Sequence, residues 1–240
     1  MDKNIQIVTP VYNEEKNIEF TISSFFKELT NFGFNLEFII SEDGSSDNSV
    51  KIIKDLSKKY KIKLFSSKDR KNYTDSVLFG LSKAQEEIVA FVDSDGQYDP
   101  KDLIKMFNEL KYGSFVLGYR SPRADNIFRK SISSSFRILY KYLLKLDLSD
   151  PSSGYFIGYK KDLDRVLEDF NFGYLKEGFW WEFYARAHYL GIKIIEKPVK
   201  HFDRRYGNTV VFQFKKLPKI AYKNLIGLFK LRKDLLKVKN

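Results

Sequence analysis

The stretch that decides the fold is "VAFVDSDGQYDP", residues 89–100, in which an apolar run ends abruptly in carboxylates. Such a run is typical of a strand that is buried on both faces of a parallel sheet. Asp93 and Asp95 follow at a spacing of two, so in an extended chain both side chains point the same way. Two carboxylates held close together repel each other unless a cation lies between them. The pair therefore indicates either a site for a divalent cation or an acidic turn without a ligand. Asp99 precedes Pro100, and this pair predicts the N-cap and first residue of a helix.

On both sides of this stretch, short apolar runs alternate with amphipathic segments. We predict strands at 4–11, 36–41, 62–67, 88–92 and 114–120, and helices at 15–29, 48–60, 76–85 and 100–111. Beyond residue 120 the alternation weakens, and we predict helices at 127–146 and 180–190 and strands at 154–160 and 192–199. This order predicts an α/β fold, a mostly parallel sheet with helices on both of its faces.

The composition excludes several classes of protein. The chain has 240 residues, 43% of them hydrophobic, and no cysteine. Disulfides, thiolate metal sites and a cysteine nucleophile are therefore excluded. The first ten residues contain no long apolar region, and no window of the sequence approaches the length of a membrane span. We therefore expect a cytoplasmic protein without a signal peptide.

The positive charge is concentrated at the C-terminal end. The net charge is +11, and residues 196–240 carry 13 Lys and Arg against 3 Asp and Glu. From 217 onward, apolar residues recur at mostly helical intervals, at Leu217, Ala221, Leu225, Leu228 and Leu235. Lysines recur on another side, at Lys219, Lys223, Lys230, Lys233 and Lys237. We predict a domain at 1–212 and a basic amphipathic helical extension at 213–240. The apolar face of this helix would lie on an anionic membrane, on the domain or on a second subunit of a homo-oligomer.

Polar stretches follow several of the predicted strands at the point where each strand ends. They are "TPVYNEE" (9–15), "SEDGSSDNS" (41–49), "DSDGQYDP" (93–100) and "GYRSPR" (118–123). In open α/β sheets, ligands bind at the carboxyl ends of the strands. A turn explains one acidic strand end, but three of them on the same edge favour a ligand site.

These stretches resemble the motifs of inverting nucleotide-sugar glycosyltransferases of family 2, which have the Rossmann-like GT-A fold. "DPSSGYF" (150–156) and "RRYGNT" (204–209) resemble segments of polyprenyl-phosphate sugar synthases of the dolichyl-phosphate mannose synthase type. The resemblance covers roughly residues 4–210. It implies a UDP- or GDP-sugar donor, Mg²⁺ or Mn²⁺, and a polyprenyl phosphate acceptor. It also implies a peripheral position on the cytoplasmic face of the membrane.

The resemblance also implies roles for individual residues. The residues that would bind the nucleotide are Pro10, Tyr12, Glu14, Asp43 and Asp93. The residues that would coordinate the divalent cation are Asp93, Asp95 and Gln97. The residues that would bind the acceptor phosphate or the donor diphosphate are Arg120, Arg129, Ser133 and Arg204. The chain departs from the family pattern at Glu42, where an Asp is more usual, and in "RKNYTDSVLFG" (70–80), where only Gly80 matches a glycine-rich segment.

The chemistry of the acceptor decides whether a base is needed. A lipid phosphate is already ionised near pH 7 and needs cations to position it, and Arg binds phosphate in a bidentate manner. A hydroxyl acceptor needs a general base, and Asp150 and Glu182 are the candidates. A transferase of the same fold that acts on a hydroxyl of a glycan or protein therefore stays open.

Two other classes fit the sequence less well. A phosphatase of the haloacid dehalogenase kind is disfavoured because Gln97 follows Gly96 and because the acidic motif lies in the middle of the chain. A nucleic-acid-binding protein is suggested by the basic C-terminal residues. However, the acidic sheet edge would repel a phosphate backbone, so we expect no nucleic acid there.

Overall fold

The computed structural model describes residues 3–121, 127–168, 173–175, 178–206 and 217–238, without the side chains of 127–135, 217–221 and 238. Within these residues the chain forms seven strands: β1 (Asn4–Val11), β2 (Asn35–Glu42), β3 (Ile62–Ser66), β4 (Ile88–Phe91), β5 (Ser114–Arg120), β6 (Phe156–Tyr159) and β7 (Lys193–Val199). The same residues form eight helices: α1 (Ile18–Asn31), α2 (Ser49–Leu56), α3 (Tyr73–Ser82), α4 (Pro100–Phe107), α5 (Ile127–Leu144), α6 (Lys160–Glu168), α7 (Phe179–Tyr189) and α8 (Leu217–Val238).

The strands form one sheet in the order β3-β2-β1-β4-β6-β5-β7. Neighbouring strands run parallel except at β6, which is antiparallel to both β4 and β5. The predicted mostly parallel sheet is therefore confirmed. Phe156 at the start of β6 pairs with Phe91 at the end of β4. The reversal of β6 thus brings the segment before it, residues 150–155, to the carboxyl end of β4.

Helices cover both faces of the sheet. Ile7 and Val8 are neighbours in β1, and they point into two different hydrophobic cores. The core on the side of Ile7 is closed by α1, α2 and α4, and the core on the side of Val8 by α3 and α5 to α8. Burial on both faces explains why these strands are continuous apolar runs instead of alternating apolar and polar residues.

Helix α8 packs on the domain through one side. Leu228, Leu231 and Leu235 are fully buried in the core that α5 and α7 also line. The sequence placed Leu228 and Leu235 on an apolar face with three alternative partners, and for these two residues the partner is the domain itself. Leu225 of the same predicted face is 37% exposed, and the side chains of Leu217 and Ala221 lie outside the described residues. The predicted boundary between 212 and 213 lies outside the described residues, so the division into two domains stays a prediction. Among the helices that the structure describes, none combines the length and apolar composition needed to cross a bilayer.

Candidate active site

The first two polar stretches are bound to each other at the carboxyl ends of β1 and β2. The backbone N–H of Asn13 donates to Ser45 Oγ at 3.0 Å, and the Asn13 side-chain oxygen accepts from the Ser46 N–H at 2.8 Å. The Glu14 N–H donates to Ser49 Oγ at 2.8 Å. These contacts place the predicted nucleotide residues on one continuous surface.

Asp43 and Tyr12 lie at the same strand ends, beside the segment that departs from the family pattern. Asp43 is buried, and its Oδ1 accepts from the Lys71 N–H at 2.7 Å. Burial raises the pKa of Asp43, and the Lys71 N–H and the Arg70 charge oppose that rise. The Arg70 guanidinium lies over the Tyr12 ring, 3.9 Å from the ring centre. Pro10 is buried in β1. Residues 70–71 therefore flank the predicted nucleotide pocket, which the sequence did not show.

Asp93 and Asp95 follow the end of β4, and each is only partly buried. The Tyr73 hydroxyl donates to Asp93 Oδ1 at 2.9 Å, and the Gln97 N–H donates to Asp95 Oδ1 at 3.2 Å. Burial is the main cause that raises the pKa of Asp93. Burial and then the charge of Asp93 raise the pKa of Asp95 to about 7. The charge of Asp93 thus acts on Asp95 in the direction expected for two neighbouring carboxylates.

The acidic pair fits a divalent cation that is shared with a substrate. The described part of the chain contains no group of three or more His, Cys, Asp or Glu arranged to hold a metal ion. Mg²⁺ is usually bound by one or two carboxylates, with substrate phosphates and water completing its six ligands. Two ionisable carboxylates beside a diphosphate would meet this requirement. Gln97 donates through Nε2 to the Phe202 carbonyl at 2.8 Å, so only its amide oxygen could act as a ligand.

Arg204 reaches the same edge from the segment after β7. Its guanidinium forms an ion pair with Glu14. The Asn17 Nδ2 donates to Glu14 Oε2 at 2.7 Å and to the Tyr206 carbonyl at 3.2 Å. The structure thus brings two residues with predicted phosphate and nucleotide roles, far apart in sequence, into direct contact.

Arg120 and Asp150 form a second ion pair at the end of β5. Arg120 Nε donates to Asp150 Oδ2 at 2.6 Å, and Nη2 donates to Oδ1 at 2.9 Å and to Ser152 Oγ at 2.7 Å. Asp150 is 3% exposed. Both Asp150 oxygens accept hydrogen bonds from Arg120. This arrangement fits a carboxylate that holds the guanidinium in place better than one that accepts a proton from a substrate.

Glu182 lies elsewhere, in the core between α7 and α8. It is 1% exposed, its Oε2 accepts from the Leu175 N–H at 2.9 Å, and its Oε1 pairs with Arg186 at 3.0 Å. Arg186 also pairs with Asp234 of α8 at 3.2 Å. This position is at odds with the base role considered from the sequence, because a base must reach the acceptor hydroxyl. Glu182 instead helps to join α8 to the domain.

Arg129 and Ser133 belong to α5, but their side chains lie outside the described residues. Their role in acceptor binding stays a prediction. Sequence reasoning missed the contact that Tyr73 makes with Asp93 and the support that Tyr73 receives from Trp180, whose Nε1–H donates to the Tyr73 oxygen at 3.0 Å. The only signal for Tyr73 was its place in the segment that departs from the family pattern.

Comparison with known proteins identifies the same family that the sequence motifs resemble. The family model described as "Glycosyl transferase family 2" matches residues 6–167. The chain belongs to glycosyl transferase family 2. The matched residues extend from β1 into α6 and include the acidic pair, Arg120 and Asp150. The resemblance found in the sequence motifs is thereby confirmed.

Curated relatives of this family 2 chain act on lipid phosphates, according to their names. A dolichol-phosphate mannosyltransferase of Pyrococcus furiosus is 28% identical over 170 residues, 68% of this chain and 48% of that protein. An undecaprenyl-phosphate 4-deoxy-4-formamido-L-arabinose transferase of Pectobacterium carotovorum is 27% identical over 58% of this chain and 43% of its own. The chain therefore spans about half the length of the curated relatives it matches.

Solved structures share the fold of the family 2 chain. Glucosyl-3-phosphoglycerate synthase of Mycobacterium tuberculosis, solved with Mg²⁺ and uridine diphosphate, superposes with a TM-score of 0.68 over 96% of this chain and 80% of that one, at 16% identity. Mannosyl-3-phosphoglycerate synthase of Rubrobacter xylanophilus superposes with a TM-score of 0.67 over 96% of this chain and 74% of that one, at 14% identity. The predicted fold class is confirmed by this likeness.

Proposed function

We propose that the protein transfers a sugar from a UDP- or GDP-sugar to a polyprenyl phosphate, with inversion at the anomeric carbon. The observation that carries the choice of acceptor is the bidentate pair of Arg120 and Asp150. Since Asp150 is engaged with Arg120 and Glu182 is buried with Arg186, neither candidate base is free to activate a hydroxyl. An acceptor that is already ionised needs no base. The lipid phosphates in the names of the relatives support the same choice.

The donor would lie across the carboxyl ends of β1, β2 and β4. Tyr12 and Asp43 would flank the nucleoside, and Asp93 and Asp95 would hold Mg²⁺ or Mn²⁺ against the diphosphate. When bound, the cation supplies positive charge that stabilises the leaving diphosphate. The pairing of uridine diphosphate with Mg²⁺ in the M. tuberculosis enzyme supports this arrangement.

The reaction itself asks little of the protein beyond position and charge. A phosphate oxygen of the acceptor attacks the anomeric carbon, the bond from that carbon to the diphosphate oxygen breaks, and the nucleoside diphosphate leaves with the bonding electrons. Arg120 lies close enough to Asp93 to lower its pKa, and Arg204 acts on Asp93 in the same sense. These two guanidinium groups would hold the acceptor phosphate beside the donor and offset the repulsion between the two anions.

We also propose a peripheral position on the cytoplasmic face of a membrane, and the outer side of α8 supports contact with a membrane surface. Its apolar residues recur at helical intervals at Tyr222, Ile226, Phe229 and Leu236, and all are exposed. Exposed lysines lie beside them, at Lys223, Lys230, Lys233 and Lys237. This stripe, opposite the buried leucines, has the pattern of a helix lying in a membrane interface. It would place the domain close to a lipid-borne acceptor.

A donor screen tests the proposed activity. Purified protein is incubated with a panel of UDP- and GDP-sugars and Mn²⁺, with and without undecaprenyl phosphate, and the lipid fraction is analysed by mass spectrometry. We expect one sugar to appear on the lipid phosphate, with release of the nucleoside diphosphate and loss of both products in EDTA. Transfer that persists unchanged in EDTA, or no lipid product with any donor, would contradict the proposal.

A further inference from the structure

Tyr73 and Trp180 form a chain of two hydrogen bonds that ends on Asp93. The Trp180 Nε1–H donates to the Tyr73 oxygen at 3.0 Å, and the Tyr73 hydroxyl donates to Asp93 Oδ1 at 2.9 Å. The three residues come from α7, from the first position of α3 and from the end of β4. The chain therefore connects elements that are remote in sequence at the site of the acidic pair.

The direction of this chain is fixed by chemistry. An indole nitrogen can only donate, so the Tyr73 oxygen must accept from Trp180. The single hydroxyl proton of Tyr73 is then directed at Asp93, whose ionised carboxylate can only accept. Among the described residues, Asp93 Oδ1 receives this hydrogen bond and Oδ2 receives none. One oxygen is thus held by the protein, and the other stays available to a ligand.

The far end of the chain is rigid. Trp180 is buried, with its ring 4.6 Å from that of Phe91, the last residue of β4, and 5.5 Å from that of Phe156. A Cβ on Gly154 would lie only 2.7 Å from Trp180 Nε1, so the glycine permits the indole to pass close to the backbone there. Tyr73, by contrast, is 43% exposed as a residue. Its hydroxyl is nevertheless withdrawn from water, which raises the pKa of that hydroxyl, and its polar contacts are the two hydrogen bonds with Trp180 and Asp93.

We propose that Tyr73 is a positioning residue for the metal site, which fixes the rotamer of the Asp93 carboxylate, and that Trp180 fixes Tyr73. This inference rests on the proposed role of Asp93 and Asp95 in holding a divalent cation. Partners that orient a metal-binding carboxylate affect affinity strongly, with losses of about 10- to 100-fold on their removal. Neither residue belongs to the motifs that revealed the family.

The test measures Mn²⁺ binding in the presence of UDP, and in parallel GDP, by water-proton relaxation. We expect Tyr73→Phe to weaken Mn²⁺ about tenfold and to lower the melting temperature, because the buried Trp180 Nε1–H loses its acceptor, while the protein stays folded at the assay temperature. Tyr112→Phe is the matched control. The Tyr112 hydroxyl also donates to a carboxylate, Glu87 at 2.8 Å, but at the opposite end of β4, so it should leave Mn²⁺ affinity unchanged.

A double-mutant cycle separates positioning from packing. Trp180→Phe should weaken Mn²⁺ as well, but adding it to Tyr73→Phe should cost no further affinity, because the chain is already broken. Additive losses that track the melting temperature would overturn the inference.

Asp95→Asn distinguishes failure of the inference from failure of the proposed site. If Asp95→Asn loses Mn²⁺ binding and Tyr73→Phe keeps wild-type affinity, the positioning role is overturned and the metal site stands. If Asp95→Asn binds Mn²⁺ as tightly as the wild type, the metal site is overturned and the role of Tyr73 falls with it.

Discussion

At the proposed metal site, a proton and a divalent cation would compete for Asp95. Burial and the charge of Asp93 raise the pKa of Asp95 to about 7 from its ordinary 3.8. In the absence of metal, the Asp95 carboxyl group of the folded protein therefore keeps its proton over a pH range in which the same group of the unfolded chain has released it. The free energy of unfolding should fall as the pH rises from about 4 to about 7, because the folded state binds more protons than the unfolded state in that range.

Asp95→Asn removes this competition. In EDTA, we expect the stability of the variant to fall less than that of the wild type as the pH rises, because the contribution of Asp95 is gone. With Mn²⁺ and UDP, we expect the variant to bind the cation at least tenfold more weakly than the wild type. Thermal denaturation between about pH 5 and about pH 8 follows the first effect, and proton relaxation follows the second. Identical pH dependence in the two proteins would contradict the assignment of the proton to Asp95.

Asp150 should behave as an anchor for Arg120. Asp150→Asn weakens the bidentate pair, so we expect the KM for the lipid phosphate to rise about tenfold with the shape of the pH–rate profile unchanged. Loss of a general base would instead lower kcat by about 10²- to 10⁴-fold and remove the acidic limb of the profile. Asp147→Asn, which breaks the exposed pair with Lys141, is the matched control.

Residue-level predictions succeeded where the signal is local. Asp99 was predicted as an N-cap, and its Oδ1 accepts from the Lys101 N–H at 3.0 Å. Asp93 and Asp95 lie directly after β4, where the sequence placed them, and their role at a metal site stays a prediction. Tyr73 could not be found in this way, since its partner Trp180 lies far away in sequence and only the fold brings them together.

Among the elements, α3 and α6 show what the apolar pattern misses. Helix α3 begins at Tyr73, earlier than the predicted 76, because the Asn72 side chain caps it by accepting from the Asp75 N–H at 3.0 Å. Helix α6 was not predicted at all. In "KKDLDRVLE", Leu163 and Val166 are buried and Leu167 packs against the same core. Their i, i+3, i+4 spacing is a helical signal, but the segment is short and mostly charged, and the prediction overlooked it.

Helix α5 carries the predicted contacts with the acceptor. Arg129 and Ser133 are four residues apart, hence on one face of the helix. Arg129→Ala should raise the KM for the lipid phosphate strongly and the KM for the donor little. Lys141→Ala, on the same helix but in an exposed pair with Asp147, should change neither constant. Equal effects of Arg129→Ala on both substrates would contradict an acceptor role.

At the scale of the whole molecule, the alternation of strands and helices predicted a sheet with helices on both faces but not the direction of every strand. The reversal of β6 is invisible in its sequence, because an apolar run fits a strand of either direction. Yet that reversal puts residues 150–155 beside the acidic pair. The amphipathic pattern of α8 likewise predicted a helix with an apolar face but could not say which partner would cover that face.

Membrane binding is predicted to reside on the outer side of α8. Combined Tyr222→Ser and Phe229→Ser should reduce sedimentation with anionic liposomes while keeping the buried leucines in place, since both side chains are exposed. Binding of the intact protein should weaken with salt, as each lysine near an anionic surface adds about 1 kcal/mol. Truncation after Lys216 should abolish it, but it also removes buried leucines. Equal sedimentation of the intact protein and the double variant would rule this surface out.

The most direct test of the central claim compares two acceptors that differ only in the phosphate. With the sugar nucleotide found in the donor screen, transfer is measured to undecaprenyl phosphate and to undecaprenol under the same conditions. We predict glycosyl phosphate product from the first and no transfer to the second. Among the described residues, Arg120 and Arg204 would hold a phosphate, whereas the two carboxylates considered as bases, Asp150 and Glu182, are engaged with arginines. Transfer to undecaprenol at an equal or higher rate would contradict the account.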